Sequence, residues 1–140
     1  MIYNLNCPNK IKHFMWRAAK NILPTKLRLK AKWIGQEDNC DLCGLCESSG
    51  HILWGCKVAA AVWSATKTKL HSLPEPHLNI LDIVWEIKEH CLGVDWDLFA
   101  VTTWSLWNNR NLVRHGGQCK RPEVIVREVA EYLKEVRQVK

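Results

Sequence analysis

The chain has 140 residues, with 20 Lys or Arg against 14 Asp or Glu, a formal charge of +6, and 47% apolar residues that include eight Trp. This is enough chain and apolar material for one domain with a real core, which excludes wholesale disorder. No apolar run approaches the ~20 residues that span a bilayer, and the first residues show no basic start followed by a hydrophobic stretch. The expectation is an intracellular protein of nucleus or cytoplasm, not secreted and with no membrane partner.

In chain order, the first predicted element is an amphipathic helix. Pro8 suits a first turn, and Ile11, Phe14, Met15, Ala18, Ala19 and Ile22 recur behind it at helical spacing. Leu23-Pro24-Thr25 breaks it, because proline disfavours helical geometry in the residue before it. Leu27, Lys30, Ala31 and Ile34 then predict a shorter helix ending near Gly35. Gln36 to Gly50 reads as an irregular loop that needs something to hold it. Ser48 and Ser49 are candidate caps for a third helix from His51 to Leu70, with Cys56, Ala59, Ala60 and Trp63 on one stripe, ended by Leu73-Pro74-Glu75-Pro76.

Three further helices follow. One runs from Asn79 to Cys91 (Ile80, Ile83, Val84, Ile87) and one from Trp96 to His115 (Phe99, Thr103, Trp104, Trp107, Asn111), stopping at Gly116-Gly117. The last starts at Pro122, with Val124, Val129, Tyr132, Leu133 and Val136 on its apolar side. Few segments alternate strictly, so the predicted fold class is mostly α. Asp95 and Asp97 read as helix-start charges. Trp16, Trp104 and Trp107 read as core by burial tendency. Arg110 with Asn111 is open between a phosphate contact and a capping or solvated role.

Charge is one-sided. Lys10, Lys12, Arg17, Lys20, Lys26, Arg28, Lys30 and Lys32 precede the first acidic residue, so the segment to Gln36 carries +8 and the remainder −2. Cations of this kind beside Trp16 and Trp33 are what a surface facing RNA or DNA needs, since phosphates take cations and unstacked bases take aromatic faces. A solvated helix face is the plainer alternative.

Four of the seven cysteines lie between Cys40 and Cys56. An odd count and this crowding suit metal ligation better than a disulfide framework. Zn2+ accepts thiolate and imidazole in a tetrahedron, and Cys40-Asp41-Leu42-Cys43 can grip it from one tight turn. Gly44 supplies the positive φ that chain reversal there needs. His51 and Cys56 complete a Cys-x2-Cys-x7-His-x4-Cys set. Residues five apart on an ideal α-helix differ by about 140° in direction, so His51 is expected to ligate from the loop or first turn and Cys56 from the helix proper. A shifted set of Cys43, Cys46, His51 and Cys56 is also possible. Four protein ligands leave no open position for an activated water, which makes the site structural. A thiol oxidoreductase using Cys40 and Cys43 is a weak third option, because no strand precedes Cys40. Cys7, Cys91 and Cys119 are isolated, and His71, His77, His90 and His115 have no ligand-like partner.

These residues carry a resemblance. Pro8-x-Lys10-Ile11-x-x-Phe14-x-Trp16-Arg17, Leu23-Pro24-Thr25, Cys40-x-Leu42-Cys43, Glu47-Ser48-x-x-His51-Ile52-Leu53-x-x-Cys56 and Ala59-x-x-Val62-Trp63 together resemble the zinc-binding domain of reverse transcriptases from plant non-long-terminal-repeat retrotransposons. Trp104-x-x-Trp107-x-x-Arg110-Asn111 is similar to the segment preceding ribonuclease H in such polyproteins. The resemblance implies ligands at Cys40, Cys43, His51 and Cys56. It implies a zinc-stapled helical domain over residues 1–70, lacking the upstream part of the family domain, and a helical tail over 71–140. No Tyr-x-Asp-Asp or metal-binding carboxylate set is found, so the expected function is a non-catalytic module without a small-molecule substrate. Its expected partners are RNA or DNA, or other retroelement proteins. The competing expectation is a protein-interaction or scaffold domain, or a relic, without nucleic-acid binding.

Overall fold

The computed structural model describes residues 5–66, 79–91 and 93–138. The third helix, expected to reach Leu70, ends at Ala65, where Thr66 is extended (ψ 148°); positions 67–70, the Leu73–Pro76 break, His71, His77 and the 70/71 boundary lie outside the described residues.

The described chain forms α1 (Asn9–Ala19), α2 (Lys26–Ala31), a π-helical turn (His51–Gly55), α3 (Lys57–Ala65), α4 (Ile80–His90), α5 (Trp96–Arg114) and α6 (Pro122–Gln138). The predicted mostly α class is what is observed. Among the described residues the only β pairing is an isolated antiparallel bridge between Asn39 and Cys46. The apolar stripes select the buried faces. α1 buries Ile11, Phe14, Met15 and Ala18, α4 buries Ile80, Ile83, Val84 and Ile87, and α6 buries Ile125, Val129 and Leu133. α5 is buried on most sides, packing against α1, α6 and the π-helical turn, while α3 packs on α6. The buried side chains form one continuous cluster drawn from all of these elements except α2. At its centre Trp63 lies between Trp54 and Phe99, with ring centroids 4.9 and 5.4 Å away. The Trp63 indole N–H donates to the Leu53 carbonyl at 3.0 Å, which meets the polar need of a buried Trp.

Several helix ends follow the capping rules. Thr25 Oγ1 accepts from the Arg28 N–H at 3.2 Å and Asp95 Oδ1 from the Leu98 N–H at 3.1 Å, so Asp95 is a helix-start residue as expected. At the other end, α1, α2 and α5 share one motif. In α1, Ile22 N–H reaches Arg17 O and Asn21 N–H reaches Ala18 O; in α2, Ile34 reaches Leu29 and Trp33 reaches Lys30; in α5, Gly117 reaches Leu112 and Gly116 reaches Val113. This is the Schellman arrangement, with its left-handed residue at Asn21 (φ 56°), Trp33 (φ 62°) and Gly116 (φ 92°).

Three expectations are corrected. The third helix is not continuous: Cys56 is extended (φ −62°, ψ 146°) and separates the π-helical turn from α3. Ala60 is exposed, because α3 starts afresh after that break and its stripe is Ala59, Val62 and Trp63. Trp16 is 45% exposed rather than core, stacked on His13 with centroids 6.1 Å apart, since the buried arc of α1 is filled by its smaller neighbours. Trp107 is buried and Trp104 half-buried, as packing predicts.

Candidate metal centre and basic face

Residues 38–47 form a tight hairpin rather than an irregular loop. Cys40 N–H donates to Leu45 O at 2.6 Å, Glu47 N–H to Asp38 O at 2.6 Å and Gly44 N–H to Cys40 O at 2.8 Å. Gly44 makes the reversal at φ 83°, as its position predicts. The Leu42 N–H points at Cys40 Sγ, 3.3 Å away, an arrangement that stabilises a thiolate.

The second pair is positioned by the π-helical turn. Ser48 caps it, its Oγ accepting from the His51 N–H at 3.1 Å. The turn closes with the Cys56 N–H on the His51 carbonyl at 2.6 Å. That bond spans five residues, so the wider turn brings positions 51 and 56 round together where an α-helix would splay them. This is how His51 and Cys56 serve one site, and it replaces the expected placement of Cys56 within the helix proper.

The four ligand atoms of Cys40, Cys43, His51 and Cys56 all lie within 4.8 Å of one another. Cys40 Sγ and Cys56 Sγ are 3.9 Å apart, and Cys43 Sγ is 3.1 Å from His51 Nε2. A tetrahedron built on metal–sulfur distances of ~2.3 Å has edges of about 3.8 Å, so this donor set fits a single metal ion. Cys40 and Cys56 are buried, and Cys43 and His51 half-buried. The hydrogen bond to Cys56, then burial, push the Cys40 thiol up to about 12, while the same bond lowers Cys56. Cys46, the pivot of the shifted set, is exposed and outside the cluster, because one step along the bridged hairpin turns its side chain away from that of Cys40.

The eight basic residues divide. Lys26 is buried at 8% exposure, its Nζ 2.5 Å from Asp41, and Lys30 Nζ lies 3.2 Å from Asp38. Both pair with acidic side chains of the hairpin, Lys26 from a buried position and Lys30 from an exposed one. Lys10 sits over the rings of Trp104 and Tyr132, 5.0 and 5.6 Å from their centroids. Lys12, Arg17, Lys20, Arg28 and Lys32 make no ion pair among the described residues.

Sequence reasoning missed Glu47 and Arg110 as partners. Arg110 Nε and Nη2 reach Glu47 Oε2 and Oε1 at 3.1 and 2.5 Å, and Nη2 also reaches the Pro24 carbonyl at 3.3 Å. Glu47 Oε1 accepts from the Lys26 N–H at 2.7 Å, so this carboxylate also sits at the start of α2, where negative charge is favoured. Trp107 underlies the guanidinium at 4.7 Å. Arg110 thus has neither a phosphate-facing nor a solvated role. The available signal was its place, three and seven residues beyond Trp107 and Thr103, on the stripe that buries α5.

The arrangement is a helical fold in which a cysteine hairpin and a capped helical turn bring together a donor set that could hold one metal ion. Residues 1–63, a little under half of the chain, match the family described as zinc-binding in reverse transcriptase. No curated protein and no solved structure matches the chain. No helix among the described residues is long and apolar enough to cross a membrane.

Proposed function

We propose that the chain is a non-catalytic structural-zinc module of plant retrotransposon ancestry that binds RNA or DNA through its phosphate backbone. The observation that carries the zinc reading is the convergence of three thiols and one imidazole within 4.8 Å. This soft, nitrogen-and-sulfur set suits Zn2+ over hard cations, and four protein donors leave no position for a substrate or water. Bound zinc contributes an apparent ~10–16 kcal/mol in small peptides, as much as the whole stability of an ordinary domain. Here it fastens the hairpin to the turn that starts at Ser48.

The nucleic-acid reading is supported by Lys12, Arg17, Lys20, Arg28 and Lys32, cations on or capping the first two helices that make no ion pair among the described residues. Contacts of this kind are indifferent to sequence and steeply dependent on salt. Five phosphate contacts on a single strand predict a fall in affinity of about a hundredfold between about 50 and 200 mM salt. A fluorescence anisotropy titration of the zinc-loaded protein with a short oligonucleotide tests this. Affinity that does not change with salt, or equal affinity for an acidic peptide of the same charge, contradicts the reading and favours a protein partner.

A further inference from the structure

Among the three Schellman ends, two carry ordinary occupants. Glycine at 116 has no Cβ to clash in the left-handed region, and asparagine at 21 is among the few side chains that tolerate it. The third carries Trp33, at φ 62° and 96% exposed. A bulky aromatic in this conformation is an outlier, and a fully exposed indole forgoes the large gain from its burial. Two unfavourable choices thus coincide at one residue, and among the described residues no side-chain contact repays either. Ile34 beside it is 70% exposed, so α2 ends in an outward apolar step.

The surroundings point to the occupant. Lys32 precedes Trp33 directly and Arg28 lies one turn earlier on α2; neither makes an ion pair among the described residues. Of the acidic groups that meet α2 from the hairpin, Asp38 and Asp41 are bound to Lys30 and Lys26, and Glu47 to Arg110 and the Lys26 N–H. An aromatic face flanked by uncommitted cations is the pairing that an unstacked base and its phosphates require, whereas a duplex hides its base faces.

We propose that Trp33 is a stacking platform for an unpaired nucleobase, with Lys32 and Arg28 on the adjoining phosphates, so that the chain prefers single-stranded nucleic acid to duplex. This rests on the nucleic-acid reading above. The left-handed backbone turns the indole out from the helix end, where a base can lie flat on it.

The test uses zinc-loaded full-length protein and oligothymidylate, alone and annealed to its complement. Trp33→Gly is the informative variant, because glycine suits the left-handed position and the variant folds at least as stably as the parent. It is expected to lower single-strand affinity by about fivefold to a hundredfold, while its duplex affinity, salt dependence and thermal midpoint do not fall. Trp33→Phe retains most of the single-strand affinity. Wild-type-like single-strand binding by Trp33→Gly overturns the platform while leaving the phosphate reading intact, as does an equal loss on both substrates. Wild-type protein that binds neither substrate overturns both.

Discussion

Glu47 and Arg110, 63 positions apart, meet in a two-pronged ion pair that is almost wholly buried, at 1% and 5% exposure. Glu47 closes the cysteine hairpin and takes up the first N–H of α2, while Arg110 comes from the far half of α5. Two charges of this kind are costly to desolvate. They are tolerated because each of the three guanidinium nitrogens has an acceptor, the Pro24 carbonyl and the Asn111 side chain adding to the carboxylate. The consequence is mechanical: the metal-site hairpin is bolted to the C-terminal helices through groups that a sequence scan treats separately.

Removing one member strands the other. Arg110→Met is expected to destabilise the zinc-loaded protein by about 3–5 kcal/mol, because Glu47 keeps a buried charge without a partner. Glu47→Gln combined with Arg110→Met recovers a large part of that loss. Chemical denaturation of the single and double variants measures the difference, and a double variant as unstable as the single one speaks against the pair as the origin.

Gly44→Ala isolates backbone strain at the hairpin. A Cβ there meets no atom within 4 Å, so space is not limiting, but φ is +83°. The expected cost is about 1–2 kcal/mol, with Gly44→Asn milder. Weaker metal affinity accompanies the loss of stability, readable by competition with a chelating dye. An alanine variant with unchanged affinity and stability contradicts the reading that this reversal sets the grip.

Metal uptake is expected to depend on pH in one direction. The metal-free site holds a proton on Cys40, whose thiol is pushed up to about 12, whereas the metal-bound form needs thiolates. Protons therefore favour the empty site, and apparent affinity rises with pH by about tenfold per unit for each thiol proton displaced. For the metal-free fold, the raised Cys40 stabilises fully below the ordinary thiol value of 9.0 and loses that contribution as the pH climbs towards 12. The lowered Cys56 acts in the opposite sense. Zinc titrations across neutral pH check the first slope, and a flat profile contradicts it.

Much of the fold was legible because it is written in local periodicity. The stripe Ile80, Ile83, Val84 and Ile87 announces α4 and is the face α4 buries. The Cys40–Cys43 turn with Gly44 was legible for the same reason, its geometry being set within five residues. What escaped depends on partners distant in sequence or on a helix of another pitch. Ile52, Leu53 and Trp54 are buried in succession, a run that marks no period, so the π-helical turn was invisible although it resolves the angular problem that His51 and Cys56 pose on an α-helix. Lys26 and Lys30 looked like free cations until the hairpin brought Asp41 and Asp38 across to them. Arg110 looked polar and exposed until Glu47 arrived.

Native mass spectrometry of the purified chain, with and without a chelator, addresses the metal centre most directly, read beside circular dichroism of the same samples. The account predicts one zinc per chain, absent from Cys43→Ser and His51→Ala, retained by Cys46→Ser, and a loss of tertiary structure when the chelator strips it. Ion-free protein with its full fold, or a Cys46→Ser variant that no longer holds the metal, contradicts it.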